Sequence, residues 1–325
     1  MRIHRLLILF IVMGLTVFSF LQGEEKLKKI SLEEVLSIGS LESDILYMWA
    51  GITTGPQGHI YVTDAMDYSV KKFNEKGVLV KKVGRKGKGP KEFLAPRSIK
   101  YFQGQLYVTD QYIPGIKIFD KNLNYIRHIP LKFPIWDLKI ASEEKIFISS
   151  PIMSQPEQLI LIDSQGKMNK QMKQTSEVEE YWENFLKFEI DVQGNLYVIY
   201  TFRDRIRKYN RTMNQIWAKS LFGHREVKRK KLNSSKVAAP ELPTQTAYKD
   251  IALDSQGHLF ILGGHLCEHP GRDVYVLDQK GNHLTSFLLP ESSHCLHIDH
   301  HDFLYSRGEE GTSIKKISMK YIYGQ

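Results

Sequence analysis

Cysteine is nearly absent. Cys267 and Cys295 are the only two among 325 residues. That excludes a disulfide scaffold, so an apolar core must hold the fold. Long apolar runs are also missing. The longest, Leu6 to Leu21, is broken only by Gly14, Thr16 and Ser19. It falls slightly short of the roughly 18 residues or more expected of a spanning helix. Beyond it no helical period persists over any long window, which excludes a helix bundle. Catalytic signatures are lacking too. There is no Cys-x-x-Cys, nucleophile elbow, phosphate loop or His-Glu-x-x-His helix. Gly84-x-x-Gly87-x-Gly89-Pro90 is glycine-rich. It joins two strands and opens no helix, so it is not a nucleotide site.

What is present begins with a basic start, Met1-Arg2-Ile3-His4-Arg5, then the apolar run and Gln22-Gly23-Glu24-Glu25. This reads as a secretory signal over residues 1–23, with an uncleaved membrane anchor as the competing reading. No cysteine follows the run, which argues against a lipid anchor. Export to the periplasm, the cell surface or the medium is expected. The formal charge is +9, with 42% hydrophobic and 25% charged residues. Such a charge favours anionic partners, but an exported protein is a poor nucleic-acid binder.

Residues 24–325 are organised by a repeat. Ile60-Tyr61-Val62-Thr63-Asp64 returns as Leu106-Tyr107-Val108-Thr109-Asp110. Looser copies begin at Ile146, Leu196, Leu259 and Leu304. Gln-Gly pairs at 57–58, 103–104, 193–194 and 256–257 precede four of the six. A second strand in five units ends in Asx: Asn74, Asp120, Asp163, Asn210 and Asp278. Asx turns and left-handed Gly make these hairpins. Units of four short strands at this period are propeller blades. The sequence therefore predicts an all-β, six-bladed propeller of four-stranded antiparallel blades. The sixth unit has room for only three strands, so an N-terminal strand within 27–38 is expected to close the ring. The same segment also reads as a helical turn. An insertion at about 223–249 carries Arg225 and Lys228 to Lys231, then Pro240 and Pro243. It reads as a long exposed basic loop with at most one helical turn.

The connector Gly84 to Ile99 and the two Tyr-Val-Thr-Asp copies resemble NHL-repeat six-bladed propellers, most of all their exported bacterial group. The resemblance spans about 27–323 and is densest in the first two blades. The family continues Thr-Asp into Asn-x-Arg-[Ile/Val]. Here only Arg205-Ile206 keeps the Arg. NHL-type propellers include amidating lyases, and similar rings include lactonases, so the resemblance implies fold more than chemistry.

Two regions are candidate sites. Predicted innermost strands place Trp49, Arg97, Trp136 and Lys249 at or beside the central channel, where ligands of propellers often sit. Trp and Arg are favoured recognition residues. The second region is rich in histidine. Eight of the twelve histidines lie between His258 and His301. His265, Cys267, His269 and His294 fall in loops that open on one face of the disc. Three readings compete there: a Cys267–Cys295 disulfide, a divalent metal site (Zn or Ca) on those four residues, or plain surface. No cofactor is firmly implied. Thr63-Asp64 and Thr109-Asp110 read as strand-end turn acceptors. The leading expectation is a monomeric, non-catalytic binding or scaffolding module for a protein, peptide or glycan. The alternative is a metal-dependent lyase or lactonase-type enzyme with its site on the His/Cys-rich face or in the channel. Envelope association would run through the N-terminal segment.

Overall fold

A computed structural model describes residues 26–150, 159–171, 182, 185–231, 241–308 and 310–324. Residues 1–23, the expected signal or anchor, lie outside them. Among the described residues no helix is long and apolar enough to cross a membrane.

Six four-stranded antiparallel sheets form the ring. Their innermost strands are Trp49–Thr54, Pro96–Phe102, Asp137–Ser142, Leu186–Ile190, Tyr248–Leu253 and Leu296–Ile298. Five blades then step outward in chain order, and the sixth does so until its outermost strand. The Ile60–Asp64 strand and its equivalents are buried on both faces, as their unbroken apolar runs require. The core is divided between blades. One cluster joins Ile116 and Ile118 of the second blade to Leu138, Ile146 and Ile160 of the third.

The hairpins form as their residue types dictate. Asp120 Oδ1 accepts from the Asn122 and Asn124 N–H groups, both at 2.8 Å. Asn74, Asp163, Asn210 and Asp278 repeat the device. Three of these turns supply Gly at positive φ, with Gly77 at 77°. In two others Leu123 and Met213 hold φ near 60°. A left-handed non-Gly residue costs about 1–2 kcal/mol. Both side chains are buried between blades, which offsets that cost.

Closure falls where the sequence predicts. Lys26–Ile38 pairs antiparallel with Ile314–Gly324 and becomes the outer strand of the sixth blade. The helical-turn reading of this segment is therefore set aside. Leu27 and Ile30 pack with Val274, Val276 and Ile317, while Ile38 packs near Trp49 and Phe73. One strand thus ties the last blade to both neighbours. Residues 232–240 of the insertion lie outside the described residues; beside them Arg229–Lys231 pairs antiparallel with Glu241–Pro243 in a small two-stranded sheet. It is seated by Trp182, whose Nε1 donates to the Glu241 carbonyl at 3.1 Å.

Candidate functional site

A cavity of about 540 Å³ opens at one end of the channel. It lies where the innermost strands begin. The connections between blades and the loops between second and third strands contribute to its rim, as the topology predicts. Arg97, Trp136 and Lys249 line it. Arg97 lies flat on Trp136, its Cζ 3.3 Å from the ring centroid, and its Nε donates to the Trp136 carbonyl at 3.2 Å. Phe185 meets the indole edge-on at 5.4 Å, and Phe202 extends the aromatic wall. Lys249 Nζ reaches the Ser293 carbonyl at 3.4 Å.

Arg307 completes the rim. Its Nη1 donates to the Trp49 carbonyl, while its buried Nε has no acceptor among the described residues. Neither Arg97 nor Arg307 has a described carboxylate within ion-pairing distance. Backbone carbonyls hold both guanidinium groups in the cavity lining, and each guanidinium carries more N–H donors than those bonds use. Burial, with Arg307 nearby, lowers Arg97 to about 10 against the opposing pull of Asp137. It stays cationic at neutral pH.

The channel wall below is a charge ladder. Lys139 bonds Glu189 and lies 4.0 Å from Asp137. Lys100 stands 3.8 Å from the same Glu189 oxygen, and Lys187 stands 3.9 Å from Asp250. Burial opposes ionisation of Asp137, yet Lys139, Lys187 and Lys100 bring it down to about 2. Burial raises Asp250. Burial, then Asp137 and Glu189 acting the opposite way, leave Lys139 above the ordinary lysine range. His297 is pushed well below its usual value by burial, Lys100 and Lys139. His294 keeps an exposed edge at the rim, yet partial burial and the charges of Lys249 and Arg307 lower it to about 4. Both rings are neutral at pH 7.

The other expectations fare unevenly. Trp49 is not in the channel wall. It is fully buried between the first and last blades, and its Nε1 donates to the Ser313 carbonyl at 2.8 Å. Both cysteines are free thiols. Cys267 donates to the Gly264 carbonyl at 2.9 Å, while Cys295 is buried beside the channel. Burial pushes each to about 12, helped by Asp273 and Asp250 respectively. The four expected metal ligands do not converge. His265 Nδ1 sits on Thr246, and His269 faces Asp273. Among the described residues no three His, Cys, Asp or Glu side chains gather so as to hold a metal ion. Asp64 and Asp110 are structural, as read. Asp64 takes the Tyr47 and Met48 N–H groups, and Asp110 those of Leu94 and Ala95.

Sequence reasoning missed Arg307, Lys100, Asp137, Lys139, Lys187 and Glu189. The signal was available. Asp137-Leu138-Lys139 and Lys187-Phe188-Glu189 alternate charged and apolar residues inside strands that must be innermost.

No protein-family model matches the chain, and no curated protein matches it. Solved structures are similar across most of its length. Virginiamycin B lyase from Staphylococcus aureus is 12% identical with a TM-score of 0.56, covering 89% of this chain and 99% of that one. A gluconolactonase from Xanthomonas campestris is 14% identical with a TM-score of 0.57, covering 91% and 92%. A member of the duf4221 family from Bacteroides vulgatus is 12% identical with a TM-score of 0.59, covering 91% and 100%. Likeness at this level shows a shared six-bladed propeller fold, and enzymes are among the neighbours.

Proposed function

We propose that this chain is an exported, monomeric, ligand-binding propeller that receives an anionic group of its ligand at the channel mouth. Arg97 and Arg307 grip the anion, Lys249 adds charge at the rim, and Trp136, Phe185 and Phe202 pack against the body of the ligand. An acidic peptide or a carboxylated glycan fits this chemistry. One observation carries the reading: two arginines line a cavity of about 540 Å³ and neither has a described carboxylate within ion-pairing distance. Arginine is suited to such a grip because its planar fork matches a carboxylate. The NHL-type character of the repeat and the leader-like residues 1–23 agree with an exported binding module.

Calorimetric titration with acidic peptides and uronate oligosaccharides tests it, using wild type and Arg97→Met. A hydrogen bond to a charged group is worth about 1.5–3 kcal/mol, so the variant should bind at least about tenfold more weakly. Equal affinity of the two proteins for every ligand that binds would overturn the reading.

A further inference from the structure

Among the described lysines, Lys100 has a distinctive place. It lines the mouth cavity and also a second cavity of about 310 Å³ at the other end of the channel. It shares a strand with Arg97 and lies three residues deeper, about 10 Å along the axis. Buried Lys71 sits directly on its carboxylates, 2.8 Å from Asp64 and 2.9 Å from Asp67. Lys100 instead stands 3.8 Å from Glu189 Oε1, the oxygen already bonded to Lys139. A single carboxylate oxygen serves two amines, and Lys139 holds it. Neutral His297 lies close by, with Nε2 3.0 Å from Thr54 Oγ1.

We propose that Lys100 is a carbonyl-reactive amine that forms a reversible imine with an aldehyde or ketone whose carboxylate is held at the mouth. The proposal rests on the anion-binding reading and adds a chemical step to it. The Lys100 nitrogen attacks the carbonyl carbon and a C–N bond forms. The nitrogen gives up its two protons, the C–O bond breaks, and the oxygen leaves as water. Nothing is oxidised or reduced. Glu189 and His297 are the groups placed to relay the protons. Hydrolysis runs the same steps backwards, so capture is reversible. Burial and the neighbouring Lys139 charge lower Lys100 to about 8, partly countered by Glu189, which leaves a share of the amine unprotonated near neutral pH.

The test is reductive trapping. The full protein is incubated at pH 7.5 with 4-carboxybenzaldehyde and cyanoborohydride, then mapped by peptide mass spectrometry. An amine near 8 has a neutral fraction about two hundredfold above that of an ordinary lysine at this pH. Lys100 should therefore carry the dominant adduct, ahead of exposed Lys230 and Lys231. Terephthalate, which has no aldehyde, should protect it. Lys100→Arg should lose that adduct yet still bind terephthalate by calorimetry, and wild-type mapping stands even if the variant folds poorly. Neutral propanal separates the two ideas. Lys100 labelled by propanal, with terephthalate neither binding nor protecting, upholds the amine and overturns the anionic mouth. Terephthalate binding, with label spread over lysines by exposure for both aldehydes, overturns the imine alone.

Discussion

Gly51→Ala tests how the frame positions Arg97. Gly51 lies on the first innermost strand, where it abuts the second. A Cβ there would stand 2.4 Å from the Arg97 carbonyl oxygen, 3.1 Å from Ile99 N and 3.2 Å from Ser98 Cα. All three are backbone atoms, so no side chain can swing aside. Reaching normal contact near 3.5 Å requires the strands to part by about 1 Å. Thr63 spans this seam. Its Oγ1 accepts from Gly51 N at 2.9 Å and donates to the Arg97 carbonyl at 2.6 Å. Overpacking costs about 1–3 kcal/mol, and loss of one buried hydrogen bond adds about 1. The expected destabilisation is roughly 2–4 kcal/mol, read from urea unfolding followed by tryptophan fluorescence. Arg97 is carried away from Arg307, so affinity for an anionic ligand should fall about tenfold, or about 1.4 kcal/mol, in calorimetric titration. Gly104→Ala is the control. It is a turn glycine at φ 84° with nothing within 4 Å of its would-be Cβ. It should lose about 1 kcal/mol of stability and no affinity. A Gly51→Ala protein with unchanged urea midpoint and unchanged affinity would refute the reasoning.

Two further outcomes follow from the same frame. Deleting residues 26–38 removes the closing strand and exposes the partners of Leu27, Ile30 and Ile38. At about 1.5–3 kcal/mol per side chain the loss is roughly 5–9 kcal/mol, against a typical total of 5–15. The thermal transition seen by circular dichroism should disappear or fall steeply; an unchanged midpoint contradicts closure. Asp137 governs part of the acid limb. Its folded value near 2 lies below the unfolded value of about 3.9. Its stabilisation is present above about pH 4 and is lost as pH falls toward 2. Asp137→Asn should lose roughly 2 kcal/mol at pH 7 and flatten unfolding free energy across that window. A parallel offset at every pH would show that the charge is not responsible.

The ring was legible because its cause is local and repeated. Apolar triplets such as Ile60-Tyr61-Val62, Asx turns at fixed offsets and a one-strand deficit at the end each point to the same closed architecture. The lining of the mouth cavity was half legible. Arg97, Trp136 and Lys249 were found because they lie at the starts of innermost strands. Trp49 has the same address but turns into the seam between blades, and nothing in its neighbours reveals that rotation. Arg307 was missed because it comes from a second strand, not an innermost one. Lys100 and its partners were missed because a lysine in a strand ordinarily reads as a solvated face. Only the topology shows that this face lines a channel. The cysteines shared a face but not a direction. Cys267 turns to its own loop carbonyl, and Cys295 turns into the core. The pairing of Arg229–Lys231 with Glu241–Pro243 was not legible because Pro243 argues for irregular chain, yet a Pro is tolerated at the end of a short edge strand.

The most direct measurement is an anomalous-difference map from crystals soaked in selenate. The account predicts the strongest peak at the channel mouth, within hydrogen-bond reach of Arg97 and Arg307. Occupied positions along the Arg229–Lys231 strand, with none between the two arginines, would contradict it.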